Sequence, residues 1–149
     1  MATQAIYYRA ADGSEPVAEF LDEEFPVEPR KKNPSPKEIA TAAEKRVTID
    51  LQIDRLNDLP NDAPPLPFPH TSQISGPLRE LRCHYGRALY RVLYRRSENF
   101  FILLHIFRKN TGAVPEAEIE IAKERWDDFK ARMDAKKRVP PRAAGHDAP

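Results

Sequence analysis

Between Leu78 and Met133 the periodicity of the chain changes once, from two to about 3.6, and this change constrains the fold more than any other feature of its 149 residues. Two runs alternate. Leu81, Cys83 and Tyr85 lie opposite Glu80, Arg82 and His84, while Ala88, Tyr90, Val92 and Tyr94 lie opposite Leu89, Arg91, Leu93 and Arg95. Alternation of this kind sends successive side chains to opposite faces of a pleated strand. Gly86 and Arg87 between the runs fit a tight hairpin connection. Ser97, Glu98 and Asn99 then separate the second run from a third, Phe100 to Phe107. That run is almost continuously apolar, as a strand covered on both faces is. After a turn at Asn110 and Gly112, Pro115 opens a helix whose Glu116 and Glu118 suit the positive end of the helix dipole. Ile119, Ala122, Trp126, Phe129 and Met133 give that helix one apolar face.

Upstream, Ala5 to Arg9 reads as a short strand, and Asp12 and Gly13 turn the chain. Ser14 is placed to cap a short helix with Val17, Phe20 and Leu21 on one stripe, ended by Pro26. Residues 26–36, with Arg30, Lys31 and Lys32, form an exposed Pro-rich connector. Ser35, Pro36 and Glu38 are a capping-box signature for a long helix to about Leu59, with Ile39, Ala42, Ile49, Ile53 and Leu56 inward. Residues 60–72 are a second Pro-rich loop, read as a solvated linker, or else as a strap in which Leu66 and Phe68 pack down. The order β-α-α-β-β-β-α predicts one α+β domain over residues 1–133, a small antiparallel sheet with helices packed on one face. The tail, residues 134–149, is basic and has too few apolar residues to order itself.

Charge is unevenly distributed. Leu78 to Asn110 holds eight Lys/Arg against two acids, a net of +6 in a chain whose total is +1, so the remainder carries −5. Clustered basic side chains on a sheet point to a phosphate-bearing partner. The single cysteine, Cys83, excludes an internal disulfide. The four histidines show no metal-ligand spacing, so neither a metal nor a cofactor is expected. No apolar run approaches the about 18 residues needed to span a bilayer, and a soluble cytoplasmic protein with no membrane partner is expected.

The strings LRELRCHYGRALYRVLYR (Leu78 to Arg95), FFILLHIFRKNTGAVP (Phe100 to Pro115) and EIEIAKERW (Glu118 to Trp126) together resemble the HigB-like, phage-derived branch of the RelE/ParE toxin superfamily. Glu80, Leu81, Arg82, Tyr90, Arg91, Val92, Tyr94, Leu104, Phe107, Lys109, Thr111, Pro115, Ile119 and Ala122 carry the resemblance. Asn110 departs from it where a second Lys is common, and Gly112, Ala113 and Val114 replace a turn that usually holds basic and Thr residues. Val114 cannot cap the last helix through a side-chain oxygen, a loss of about 1 kcal/mol.

The resemblance implies a RelE-like fold and the toxin of a type II toxin–antitoxin system, a ribosome-dependent mRNA endoribonuclease without metal. Its implied partners are messenger RNA on the ribosome and a small helix-turn-helix antitoxin, for which the basic strip predicts an acidic docking surface. RNA supplies its own nucleophile, so the site needs a base for the 2′-OH, a cation for the phosphorane and an acid for the leaving 5′ oxygen. On this reading Arg91 clamps the phosphate bidentately, Lys109 assists it or moves a proton, and His84 is the acid–base group. Arg82, Arg87 and Arg108 bind neighbouring phosphates, Tyr85 stacks on a base, and Glu80 orients Arg82 or Arg91. His105, in the apolar run, is read as a satisfied core histidine. Neither Arg91 nor Lys109 is expected to carry core packing. Two alternatives stand beside the nuclease: a ParE-like topoisomerase-binding inhibitor, and a degenerate, non-catalytic protein-binding module.

Overall fold

The computed structural model describes residues 2–110, 112–134 and 142–146. Thr111, and residues 135–141 and 147–149 of the expected tail, lie outside the described residues. The elements run β1 (Gln4–Tyr7), α1 (Pro16–Glu24), α2 (Pro36–Ile53), a 3-10 turn (Asp54–Leu56), β2 (Thr71–Ser75), β3 (Leu78–Tyr85), β4 (Ala88–Ser97), β5 (Phe100–Arg108) and α3 (Glu116–Met133). The strands form one sheet in the order β1-β5-β4-β3-β2. The chain is α+β, a five-stranded mixed sheet with three helices, consistent with a RelE-like fold.

The hairpin expected at Gly86 and Arg87 is present, with Gly86 at φ 59° where only glycine is unstrained. Ser35 and Glu38 close the capping box on α2 from both sides. Ser14, however, does not cap α1: Glu15 occupies that position without a side-chain bond, and Ser14 turns back to donate its N–H and hydroxyl to Asp12. Burial on α2 begins only at Ile49 and continues through Gln52 and Ile53, whereas Ile39 is 45% exposed. Ala122, Trp126 and Phe129 are buried on α3 as its spacing predicts, with Ile119 and Met133 packed beside them.

The sheet is mixed rather than antiparallel because β1 runs parallel to β5. A parallel neighbour needs a long crossover, and the chain through α1 and α2 supplies one. β2 was not expected. Its sequence, TSQIS, holds one apolar residue and gives no visible alternation, but the free edge of β3 offers unpaired backbone groups that Thr71, Ser72 and Gln73 take up opposite Leu81, Glu80 and Arg79.

The helices cover both faces, not one. Val17, Leu21, Ile49 and Ile53 of α1 and α2 pack on Leu81, Cys83, Tyr90, Val92, Leu103 and Ile106. Ala122, Trp126 and Phe129 of α3 pack on Ile6, Leu78, Leu93, Ile102 and Leu104. Neighbouring residues of β5 therefore enter opposite cores, and a strand apolar on both sides requires a cover on each. The pairing of β4 with β5 jumps from Leu93↔His105 to Tyr94↔Leu103, leaving Leu104 as a bulge. The extra residue puts Leu104 and His105 both on the α3 side.

Part of the expected disordered tail is ordered. Among residues 142–146, Arg142 accepts the Tyr7 N–H at 2.8 Å, Ala144 donates to Ala5 at 2.8 Å, and Ala143 bridges Ile6. Backbone pairing along the outer edge of β1 needs no apolar side chains, which is why composition misjudges this segment. The second Pro-rich loop is likewise pinned: Leu66 packs against the α1/α2 core and its carbonyl accepts the Thr71 hydroxyl.

Candidate nucleic-acid interface

Residues paired across a ladder share a face, so the register of β3, β4 and β5 lays out the α3 side of the sheet as three rows. Glu80, Leu93 and His105 form the first, and Arg82, Arg91 and Phe107 the second. His84 and Leu89 form the third, extended to Lys109, whose N–H bonds to the Leu89 carbonyl at 2.7 Å. Helix α3 closes over the first row. His105 Nδ1 faces Arg125 Nη1 at 3.2 Å, a group that only donates, so Nδ1 accepts and Nε2 carries the proton to Glu118 Oε2 at 2.5 Å. Burial lowers the His105 pKa against the pull of Glu118. It is a satisfied internal histidine.

A charge cluster joins the first row to the second, built on Glu80, which is only 3% exposed. Glu80 Oε1 accepts from Arg82 Nε at 3.1 Å and from the Ser72 hydroxyl at 2.8 Å, while Oε2 stands 3.6 Å from Arg91 Nε. The last contact is an ion pair without a hydrogen bond, and both its atoms are buried. Glu80 thus touches both arginines, the geometry of an orienting carboxylate. Arg82 is one-third exposed, with its guanidinium 4.6 Å from the centroid of the Phe68 ring.

Arg91 differs from its expectation. It is only 7% exposed, and its Nη1 donates to the Tyr90 carbonyl at 3.2 Å. Burial lowers its pKa while the Glu80 charge raises it. Placed mid-strand between β3 and β5, it fills space in the sheet surface and cannot be removed without leaving Glu80 short of a partner. Lys109 is also held: its Nζ donates to the carbonyls of Asn110 (3.0 Å) and Gly112. Those acceptors are backbone groups, so the changed side chains of this turn do not by themselves disturb Lys109.

His84 is exposed at the end of the same face. Its backbone is fixed by Gln52, whose amide donates to the His84 carbonyl at 2.7 Å and accepts the His84 N–H at 2.7 Å. Gln52 thereby completes the edge of β3 where β2 has ended. A polar residue inside the buried stripe of α2 was the available signal for it. Ser72 had no comparable signal, because its role depends on β2.

The remaining candidates lie elsewhere. Tyr85 falls on the α1/α2 side with Leu81 and Cys83, as the alternation itself demands, and Lys45 sits 5.6 Å from its ring centroid. Arg108 pairs with Tyr90 on that same side, and Arg87 stands exposed in the hairpin turn. None of the three joins the Arg82–Arg91 cluster. Cys83 is buried, and burial pushes its thiol up to about 12, far from a reactive thiolate.

Among the described residues no group of three His, Cys, Asp or Glu is placed to hold a metal ion, and no helix is long and apolar enough to cross a membrane. A cavity of about 370 Å³ between Phe25, Pro26, Pro29 and the α2 residues Lys37 to Lys45 contains neither Arg82, Arg91 nor His84. The chemistry-bearing groups therefore lie on a sheet face. The family model described as phage derived protein Gp49-like (DUF891) matches residues 36–127. No curated protein matches the chain.

Proposed function

This chain belongs to the Gp49-like family of phage-derived proteins, a RelE/HigB-like toxin family, and from that membership we propose that it is the toxin of a type II toxin–antitoxin system, an mRNA endoribonuclease acting on the ribosome in the cytoplasm. The observation that carries this reading is the Glu80 bridge, which holds Arg82 and Arg91 on the face that also bears His84 and Lys109. The RNA 2′-oxygen attacks the adjacent phosphorus and the bond to the 5′ oxygen breaks, leaving a 2′,3′-cyclic phosphate and a 5′-hydroxyl end. His84 takes the 2′-OH proton, and the leaving oxygen is protonated by an acid in reach of the same face.

The phosphate is held by Arg82 rather than by Arg91, because the one-third exposed guanidinium can present its free edge while the buried one cannot. Arg91 contributes positive charge from beneath, in a water-poor setting where it acts over a longer distance. Lys109 adds a second cation at the rim. The inhibitor is a helix-turn-helix antitoxin with an acidic surface, whose association slows as salt rises.

Induction of the wild-type protein, with mapping of transcript 5′ ends, tests the nuclease. New 5′ ends within coding sequences are expected, and Arg82→Ala and His84→Ala should abolish them while the proteins stay folded. Growth arrest with intact transcripts would remove the nuclease reading. The burial of Arg91 and the engagement of Lys109 favour a second reading, a toxin that acts by protein contact alone, as a ParE-like topoisomerase inhibitor does. It predicts intact transcripts together with inhibition in a supercoiling assay.

A further inference from the structure

Phe68 is the most solvent-exposed large apolar side chain among the described residues, at 69%, yet the chain on both sides of it is fixed. Leu66 packs on the α1/α2 core, and its carbonyl accepts the Thr71 hydroxyl. The Pro67 carbonyl accepts the N–H groups of His70 at 3.0 Å and Thr71 at 3.4 Å, and the His70 carbonyl accepts the Arg82 N–H at 2.9 Å. A ring held outward on an anchored strap gains nothing from the fold beyond the Arg82 guanidinium on one side, 4.6 Å from its centroid. That guanidinium is the same one Glu80 orients. An apolar ring with an oriented cation over one of its faces thus stands at the border of a sheet region carrying +6.

We infer that Phe68 is a stacking platform for an unpaired RNA base whose neighbouring phosphate is held by Arg82, a single-strand subsite that rests on the nuclease reading above. The pairing of parts selects this ligand. An unpaired nucleotide presents a π-face and an anion a few ångströms apart, whereas a duplex hides the faces of its bases. The ring serves any base, since every base has a π-face, so the subsite sets strandedness and position more than sequence. Pro64, Pro65, Pro67 and Pro69 restrict the strap before binding, which keeps its ordering cost low.

The probe is a fluorescent 2′-O-methyl oligoribonucleotide, which lacks the nucleophile and so reports binding without cleavage, read by anisotropy against wild type, Phe68→Leu and Phe68→Trp. Phe68→Leu keeps apolar bulk and removes the π-face. It should weaken single-stranded oligo(A) and oligo(U) by about 5- to 150-fold, the range seen when a stacking aromatic is removed. Phe68→Trp should restore affinity, and its fluorescence, after subtraction of the Trp126 signal, should be quenched by RNA. Equal affinity of wild type and Phe68→Leu for single strands overturns this inference alone and leaves the nuclease reading standing. Absence of RNA binding by wild type also overturns this inference, whereas the nuclease reading, in which the protein acts on the ribosome, falls only if transcripts stay intact under growth arrest. Unchanged RNA binding with loss of affinity for the helix-turn-helix antitoxin would assign the ring to a protein partner and overturn the inference.

Discussion

Glu80→Gln removes the charge that stands between Arg82 and Arg91 while keeping the oxygen that Ser72 bonds. The magnitude follows from how unequal the two arginines are. Arg82 is one-third exposed and rehydrates when released, so its share is at most about 1 kcal/mol, the range of surface pairs. Arg91 is 7% exposed and cannot reach water, so it stays as a buried charge without a counter-ion. Breaking a buried pair in this way costs about 3–5 kcal/mol, and the 3.6 Å separation without a hydrogen bond puts this one at the low end. The expected loss is about 3 kcal/mol in urea unfolding, or a fall in Tm of roughly 6–12 °C for a chain of this size. Removing both charges, as in Glu80→Gln with Arg91→Met, should recover much of that loss, because no uncompensated ion remains. A single Glu80→Gln variant within about 0.5 kcal/mol of wild type, or a double variant that costs the sum of the singles, would refute the reasoning.

Gln52→Ala leaves the N–H and C=O of His84 without their partners, and a loss of about 1–3 kcal/mol in urea unfolding is expected, with faster amide exchange at His84 than at Cys83. His105 gives a pH dependence. Its folded-state pKa lies below the ordinary value, chiefly through burial, so the unfolded chain takes up the proton first as pH falls. Its contribution is therefore fully present above about pH 6.5, the ordinary histidine value, and declines as pH falls from there through the lower folded pKa. Urea midpoints measured across pH 5 to 8 should show this decline in wild type and a flatter profile in His105→Gln; equal slopes in the two proteins would remove His105 as the cause.

Much of the fold is written locally. The alternation of Leu78 to Arg95, the glycine of the hairpin, the Ser35–Glu38 box and the apolar face of α3 each follow from neighbours within a few residues, so the sequence determines β3, β4, the start of α2 and α3. The presence of Glu80, Arg82, His84 and Arg91 on one side of two strands is also legible, because period two and the Gly86 hairpin assign sides without knowledge of the rest. The same rule already places Tyr85 on the other side, but carried through the second hairpin it would put Arg108 on the Arg91 face and Lys109 opposite; the bulge at Leu104 exchanges the two.

Tertiary structure decided what the alternation cannot encode. β2 exists because β3 has an edge to satisfy, residues 142–146 are ordered because β1 has one too, and neither segment carries a side-chain pattern of its own. The second helical face follows from β5, whose burial on both sides needs covers drawn from opposite ends of the chain. Exposure within the site was likewise beyond the sequence. Arg82 and Arg91 are alike in residue type and directly opposed in register, yet Arg82 is at the border of the sheet beside Phe68 and Arg91 lies between two strands. Burial depends on what stacks around a position from distant segments, so only the assembled sheet separates the arginine that can reach a ligand from the one that holds the surface in shape.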